Sequence, residues 1–207
     1  MSVHVKICGI TTIEDAELVV ENGASAIGLN LVPSSPRVID VETARRIVER
    51  VSARTLTVLV VADRTAEELR ALLLATGARC LQLSGDEGPE VLAELLPHAY
   101  KGVRIGSAAD VKRAAQYPGE HLLVDAKVEG KLGGTGQIFD WALVEPLARA
   151  RKLTLAGGLR ASNVADAIRA VRPFCVDVAS GVEREGDPRR KDPEKVKAFR
   201  RAVESAV

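Results

Sequence analysis

The sequence has few of the features that mark disulfide-stabilised, metal-binding or membrane proteins. Its 207 residues include only three cysteines, Cys8, Cys80 and Cys175, whose spacing fits neither a disulfide scaffold nor a metal motif. It contains no apolar run of transmembrane length, and its start lacks the basic and apolar regions of a signal peptide. The net charge is only +1, which gives no reason to expect nucleic acid or a membrane as a partner. We therefore expect a cytoplasmic protein without a bound metal.

Hydrophobic residues make up 46% of the sequence, which is enough for one sizeable core. Short β-branched runs alternate with helical patterns along the whole sequence. These runs are almost continuously apolar, as in a parallel sheet that is buried on both faces. They predict strands at 3–8, 26–31, 56–62, 79–84, 100–105, 121–126, 152–156 and 175–179. The segments between them predict helices at 12–22, 41–52, 65–76, 88–96, 108–117, 139–150, 161–171 and 192–206.

Eight successive strand–helix units indicate how the sheet closes. Eight parallel strands, each followed by a helix, are the arrangement of a TIM barrel. No linker or low-complexity segment divides the sequence, so we expect residues 1–207 to form one α/β domain, a (β/α)8 barrel of minimal length. The alternative is an open, doubly wound sheet, but the similarity of the eight units favours closure.

Two candidate catalytic residues end predicted strands, at the edge where barrels carry their active sites. Cys8 ends the first strand, and a thiol acts as a base or a nucleophile once it is deprotonated. A packed, inert thiol is the alternative interpretation. Asp125 directly follows the apolar run 122–124 in the sixth strand. An unpaired carboxylate at such a position destabilises the fold, so it has either a charge partner or a function. Coming from the first and sixth strands, the two side chains could face each other across this edge.

The loops after the last two strands carry a signal for phosphate binding. Gly157 and Gly158 follow the seventh strand, and Ser180 and Gly181 follow the eighth; another glycine-rich loop, 130–136, follows the sixth. Barrels commonly bind phosphate with the loops after strands seven and eight, and glycine lets backbone N–H groups approach the phosphate oxygens. We therefore predict a phosphate site at these two loops.

Two other charged residues are candidates for binding a substrate. Arg37 lies in the loop after the second strand, where it is either a solvated charge or a guanidinium fork for a substrate carboxylate. Asp177 stands between Val176 and Val178 in the eighth strand. It is either a residue of the active site, or its negative charge is balanced by backbone N–H donors or an arginine. The residues alone leave both questions open.

A series of short motifs follows the barrel units in order. The motifs are Val5-Lys6-Ile7-Cys8-Gly9-Ile10-Thr11, Ser35-Pro36-Arg37, Leu81-Gln82-Leu83, Leu123-Val124-Asp125, Gly133-Gly134-Thr135-Gly136, Phe139-Asp140-Trp141, Ala156-Gly157-Gly158-Leu159, Val176-Asp177-Val178 and Ser180-Gly181-Val182-Glu183. Each motif is modest evidence by itself, but their order and spacing are specific. Together they make the sequence resemble, from end to end, the phosphoribosylanthranilate isomerase family of tryptophan biosynthesis.

The resemblance implies a cofactor-free reaction on a small phosphosugar. The family converts N-(5'-phosphoribosyl)anthranilate to 1-(2-carboxyphenylamino)-1-deoxyribulose 5-phosphate, an Amadori rearrangement and the third step from chorismate. By this resemblance, Cys8 is the general base that takes the C2 proton, and Asp125 is the general acid that protonates the furanose ring oxygen. Arg37 holds the anthranilate carboxylate, and Asp177 is a site aspartate of open role. The residues that match the phosphate site are Gly157, Gly158, Ser180 and Gly181.

Three departures from the family pattern concern the lining of the site. The segment Leu29-Asn30-Leu31 stands where members often carry phenylalanines, and Ser84 stands where they often carry histidine. Ala126 replaces a common small hydroxyl residue after the proposed acid. None of these departures removes a proposed catalytic group.

Other functions are weighed against this one. The related aldose–ketose isomerase of histidine biosynthesis performs the same chemistry with aspartates, so Cys8 argues against it. A non-catalytic phosphosugar-binding barrel would need no acid opposite a base. A cysteine hydrolase would need a histidine beside the thiol, whereas His4, His98 and His121 lie near strand starts or a helix end. The sequence does not fix the oligomeric state, and a homodimer is our expectation.

Overall fold

Eight parallel strands close into a barrel in sequence order, because each strand pairs with the next and the last pairs with the first. This computed structural model describes residues 3–125 and 141–206. The strands are β1 His4–Cys8, β2 Ala26–Asn30, β3 Leu56–Val61, β4 Cys80–Leu83, β5 Ala99–Arg104, β6 His121–Asp125, β7 Lys152–Ala156 and β8 Cys175–Val178. The helices are α1 Ile13–Glu21, α2 Val41–Val51, α3 Ala66–Thr76, α4 Pro89–Leu95, α5 Ala108–Ala115, α6 Glu145–Ala150, α7 Val164–Val171 and α8 Pro193–Glu204. The predicted (β/α)8 barrel is confirmed, and the open sheet is excluded.

Several helices begin where the sequence offers a capping side chain. The Thr12 hydroxyl accepts a hydrogen bond from the Asp15 amide at the start of α1. Thr65 and Glu68 form a reciprocal capping box at the start of α3. Asp40 caps α2 in the same manner as Thr12 caps α1. These side chains satisfy amides that the first helical turn leaves without partners, and so they fix where each loop ends.

Side chains of the barrel strands pack in two separate apolar clusters. In β1, Val5 and Ile7 belong to the main cluster, which lies between the barrel and its helices. A smaller cluster lies inside the barrel, and its buried members are Ala26, Val58, Tyr100, Leu123 and Ala156. The inner cluster is too small to fill the barrel. Buried polar side chains, among them Lys6, Gln82 and Asp177, occupy part of the remaining interior.

The segment after β8 contains a hairpin that the sequence did not predict. A short 3-10 turn, Ser180–Val182, leads into an antiparallel pair of strands, β9 (Glu183–Arg184) and β10 (Asp187–Lys191). Most residues of the two strands are charged, and Pro188 lies among them, so the segment has no strand-like pattern. The hairpin lies next to the candidate site, as described below.

The predicted helix at 161–171 begins later than expected, at Val164. The cause is the Asn163 side chain, which accepts a hydrogen bond from the Arg160 amide (2.9 Å) and donates one to the Gly158 carbonyl (3.2 Å). These two bonds hold the preceding residues as a turn, so the helix starts after them.

The segment after β6 is only partly covered by the described residues. The predicted helix at 139–150 is a 3-10 turn, Trp141–Val144, followed by α6. Residues 139 and 140 lie outside the described part of the protein, as do Ala126 and the glycine-rich loop 130–136. In the part that is described, no helix is long and apolar enough to cross a membrane.

Candidate active site

Cys8 is the last residue of β1 and lies at the rim, the ring of residues at the carboxyl ends of the strands. Its side chain is half-buried. Its neighbour across the sheet is Gly28, and a Cβ atom at that position would lie only 2.6 Å from the Cys8 Sγ atom. Gly9 follows with a φ of +74°, in the left-handed region that favours glycine. Two glycines therefore make room for the thiol and turn the backbone away immediately after it.

Asp125 is the last residue of β6 and is half-buried at the same rim. Its neighbours in the sheet are Arg104, which ends β5, and Ala156, which ends β7. Residues in register on adjacent strands present their side chains on the same face, so Arg104 lies on the inner face beside Asp125. Only β7 and β8 separate β6 from β1 on the shorter way around the barrel. Cys8 and Asp125 therefore approach the rim from different sides.

A hydrogen-bonded polar cluster lies in the barrel interior beneath the thiol. The Lys6 ammonium donates to Asp177 Oδ1 and to Gln82 Oε1, both at 3.0 Å. The Tyr100 hydroxyl also donates to Gln82 Oε1, at 3.2 Å. Lys6 and Cys8 are two residues apart in one strand and so share its inner face. Asp177 therefore lies one layer below the thiol, and a lysine balances its charge rather than the backbone donors or arginine considered above.

Burial and the Lys6 charge act on the thiol in opposite directions. Burial raises the pKa of Cys8 above its ordinary value, and the Lys6 ammonium partly offsets this increase. Burial alone would lower the pKa of Lys6, but the charges of Asp177 and of the Cys8 thiolate outweigh burial and raise that pKa well above its ordinary value. The Lys6 ammonium thus lies below Cys8 and favours the thiolate over the neutral thiol.

Arg37 reaches the rim from the loop between β2 and α2. Its stem passes over Gly9, where a Cβ atom would collide with it, so the guanidinium lies close to the end of β1. The Nε and Nη2 atoms of Arg37 donate to the two carboxylate oxygens of Glu183, at 2.5 and 2.9 Å. The Lys191 ammonium donates to the same carboxylate at 3.2 Å. Arg37 is therefore held by a carboxylate of the hairpin instead of being a freely solvated charge.

The two loops predicted to bind phosphate touch each other. Gly157 and Gly158 follow β7 with φ values of +102° and +66°. Ser180 and Gly181 open the turn after β8, and a Cβ atom on Gly181 would collide with the Leu159 carbonyl oxygen. A Cβ atom on Gly158 would meet nothing within 4 Å, so the backbone there borders open space. The structure brings the four predicted residues together at one part of the rim.

The other two cysteines begin their strands, at the end of the barrel opposite the rim. Burial raises the pKa of Cys80 to about 11 and that of Cys175 to about 12. His121 also begins its strand, and burial lowers its pKa to about 4. Of the three thiols, Cys8 is the one at the rim.

The end of the barrel opposite the rim also carries cavities. A cavity of about 800 Å³ lies at the end opposite the rim, where Arg151, Lys152 and Phe174 line part of it, and none of the predicted site residues borders it. Within residues 3–125 and 141–206, no group of three His, Cys, Asp or Glu side chains is arranged to hold a metal ion. The predicted site residues all lie on strands or loops that lead to the rim.

Four charged residues near the site were not singled out in the sequence. Lys6 precedes Cys8 by two residues, and residues two apart in a strand lie on the same face. This spacing would have predicted that Lys6 lies next to the thiol. Arg104 ends a strand, which is the signal that identified Asp125. Glu183 lies in a motif of the family, but no role was assigned to it. Lys191 had no signal, because a strand was not predicted in the hairpin.

The family match and two similar sequences agree on one family. The family described as N-(5'phosphoribosyl)anthranilate (PRA) isomerase matches residues 5–202. The protein is 40% identical over 205 residues to the N-(5'-phosphoribosyl)anthranilate isomerase of Desulforudis audaxviator, and the match covers 98% of either sequence. It is 42% identical over 210 residues to that of Myxococcus xanthus, and this match covers 99% of the present sequence and 98% of the relative.

Solved structures of the same isomerase superimpose on the barrel. The phosphoribosyl anthranilate isomerase of Thermotoga maritima is 38% identical with a TM-score of 0.89. A structure of the isomerase in complex with reduced 1-(o-carboxyphenylamino)-1-deoxyribulose 5-phosphate is 36% identical with a TM-score of 0.86. A third, described as monomers generated from the dimeric Thermotoga maritima isomerase, is 35% identical with a TM-score of 0.84. Each comparison covers 98% of this protein and 99% of the other.

Proposed function

The protein belongs to the family of N-(5'-phosphoribosyl)anthranilate isomerases, which are enzymes of tryptophan biosynthesis. We propose that Cys8 and Asp125 carry out the proton transfers of this reaction. The substrate is a phosphosugar that carries an anthranilate group. The observation that supports the assignment is a thiol above the Lys6–Asp177 ion pair on one side of the rim, with a carboxyl group at the end of a strand on another side. An acid and a base approaching from different sides can act on different atoms of one small substrate.

In the proposed reaction, Asp125 acts first as an acid and Cys8 acts second as a base. Protonated Asp125 donates its proton to the furanose ring oxygen, the bond between C1 and that oxygen breaks, and the anthranilate nitrogen lone pair forms a C=N bond to C1. The Cys8 thiolate then takes the C2 proton, and the electron pair of that C–H bond forms a C1=C2 bond while the nitrogen becomes neutral. The resulting enol becomes a ketone when C1 gains a proton and the C2 hydroxyl loses one. No electrons are lost or gained overall, and the thiol forms no bond to carbon.

The remaining predicted site residues bind the two anionic ends of the substrate. We expect Arg37 to bind the anthranilate carboxylate and the loops at Gly157, Gly158, Ser180 and Gly181 to bind the sugar phosphate. Asp177 lies beneath the rim and contacts Lys6, so we expect it to act by keeping that lysine in place and charged. The rim then presents a cation at one end of the substrate and backbone N–H groups at the other.

The function is tested by a coupled fluorescence assay for the loss of phosphoribosylanthranilate. A parallel assay uses the aldosamine substrate of the histidine pathway. Turnover of phosphoribosylanthranilate is the expected result. If only the histidine-pathway substrate reacts, the alternative isomerase is correct, and if neither reacts the non-catalytic barrel is favoured.

Replacing Arg37 by alanine is expected to raise KM by about 10- to 100-fold while kcat changes much less, because a hydrogen bond between two charged groups contributes about 1.5–3 kcal/mol. Steady-state kinetics measure both constants. Arg37→Lys is the matched variant: it keeps the charge but loses the planar fork, so its KM should lie between those of the wild type and Arg37→Ala. An unchanged KM in Arg37→Ala would contradict the proposed contact with the carboxylate.

We expect the thiolate fraction of Cys8 to rise with pH through neutrality and above it. Burial raises the pKa of this thiol above its ordinary value despite the nearby Lys6. Below that pKa, the thiolate fraction grows about tenfold per pH unit. Because the reaction also needs Asp125 to be protonated, kcat/KM depends on both protonation states and does not follow the thiolate fraction alone. The pH dependence of iodoacetamide alkylation measures the thiolate directly, with Cys8→Ala giving the background from Cys80 and Cys175. An alkylation rate at Cys8 that is the same across neutral pH would contradict this assignment.

Three further proposals concern the whole protein. We propose that residues 1–207 form one catalytic domain, because the described residues close a single barrel. A homodimer is proposed because one similar structure comes from a dimeric isomerase. The cytoplasmic location remains a prediction from the sequence.

A further inference from the structure

One edge of the Arg37 guanidinium is already occupied within the protein. A guanidinium has two edges that bind a carboxylate through parallel hydrogen bonds, the Nε/Nη2 edge and the Nη1/Nη2 edge. Glu183 occupies the first edge, with distances of 2.5 Å from Nε and 2.9 Å from Nη2. The Glu183 side chain is only 7% exposed, so water competes little for these bonds. Within residues 3–125 and 141–206, the Nη1/Nη2 edge is the one left for an incoming carboxylate.

Lys191 balances the charge of Glu183 from its other side. The Lys191 side chain has no exposed surface, and its ammonium lies 3.2 Å from Glu183 Oε1. Burial alone would raise the pKa of Glu183, but the hydrogen bond from Arg37 and the charge of Lys191 lower it below its ordinary value. Glu183 is therefore an anion between two cations. An Arg–Glu pair alone would be neutral, whereas this group of three keeps one positive charge that can attract an anionic substrate.

The hairpin that begins with Glu183 also holds the backbone on both sides of Arg37. Arg189 lies in β10, and its Nη1 atom donates to the Val38 carbonyl at 2.9 Å and to the Pro36 carbonyl at 3.5 Å. Pro36 and Val38 are the residues directly before and after Arg37. The hairpin thus contacts both the guanidinium and the backbone segment that carries it, so the orientation of Arg37 depends on this hairpin.

We propose that Glu183 is a positioning residue for substrate binding: it orients the Arg37 guanidinium so that the Nη1/Nη2 edge faces the anthranilate carboxylate of the substrate. The inference rests on the proposed function, since it takes Arg37 as the residue that binds this carboxylate. Its specific consequence is that substrate affinity depends on where the Glu183 carboxylate lies, as well as on its charge. Glu183 itself does not touch the substrate.

The test compares two substitutions of Glu183. Glu183→Asp keeps the negative charge for Lys191 but withdraws the carboxylate from Arg37 by one methylene group, and Glu183→Gln keeps the length but removes the charge. Both are expected to raise KM about tenfold and to change kcat by less than about threefold, because the lost interaction is made in substrate binding. In an Arg37→Ala background, neither substitution should raise KM further.

A matched control separates positioning from general loss of stability. Glu87 is a buried carboxylate that binds the buried ammonium of Lys101 at 2.7 Å, and neither residue contacts Arg37. Glu87→Gln should lower Tm, because it leaves a buried lysine without its counter-charge, but it should leave KM unchanged. The inhibition constant of inorganic phosphate should stay the same in all these variants, because the loops after β7 and β8 are the proposed phosphate site.

The possible outcomes are distinct. An unchanged KM in Glu183→Asp and Glu183→Gln overturns the proposal, and so does an equal rise in KM when Arg37 is already alanine. If Glu183→Gln does not fold because Lys191 is left unbalanced, Glu183→Asp retains that balance and decides the question. A wild-type protein that does not isomerise phosphoribosylanthranilate would instead refute the proposed function itself.

Discussion

Replacing Cys8 by alanine is expected to lower kcat/KM for phosphoribosylanthranilate by about 10²- to 10⁴-fold, the usual contribution of a general base. The substitution removes the group that takes the C2 proton. It leaves the hydrogen bonds of the polar cluster between Lys6, Asp177, Gln82 and Tyr100 in place. The coupled fluorescence assay measures the loss. Inhibition by inorganic phosphate should remain at the wild-type value, which shows that the site is still assembled.

A second substitution at the same position distinguishes a base from a nucleophile. Cys8→Asp restores a group that can take a proton but cannot form the thioether adduct that a nucleophilic thiolate would give. We expect it to recover part of the activity at neutral pH, because a carboxylate is ionised at lower pH than a thiol. If Cys8→Asp is as inactive as Cys8→Ala, and mass spectrometry of the wild type detects a substrate adduct, the thiol is a nucleophile.

The barrel was predictable from the sequence because its signals are local and repeated. Each strand is an apolar run of limited length, and capping side chains such as Thr12 and Thr65 mark helix starts. The β9–β10 hairpin was not predictable, because its charged residues form a strand pair only through contacts with distant parts of the sequence. One of these contacts is the hydrogen bond that the Lys191 amide donates to the Asp15 carboxylate (3.0 Å), which joins residues far apart in sequence.

The candidate site was predictable in its positions but not in its interactions. Strand ends located Cys8 and Asp125, since the carboxyl edge of a barrel is known from the fold alone. The partners of Arg37 and Asp177 come from other strands and from the hairpin, so only three-dimensional structure reveals them. A charged residue in an apolar strand can be predicted from the sequence to need a partner. That the partner of Asp177 is Lys6 is visible only in the structure.

Replacing Asp125 by asparagine is expected to lower kcat by about 10²- to 10⁴-fold, because the amide keeps the shape of the side group but cannot release a proton to the ring oxygen. KM and phosphate inhibition should change much less. Asp166→Asn is the matched control: Asp166 is an exposed carboxylate on α7 that pairs with Arg169, and its loss should leave kcat unchanged. A fully active Asp125→Asn enzyme would show that another group opens the ring.

The order of the two proton transfers makes the Asp125 assignment testable against that of Cys8. If Asp125 opens the ring first, Cys8→Ala should still form the ring-opened imine at C1, whereas Asp125→Asn should not. Borohydride adds hydride to C1 of that imine and gives a stable amine, so trapping with enzyme in excess measures ring opening separately from proton removal. With Cys8→Ala, the rate of imine trapping should exceed the rate measured without enzyme. With Asp125→Asn, the two rates should be equal. Equal trapping by the two variants would mean that Asp125 is not the acid for ring opening, even if its loss abolishes turnover.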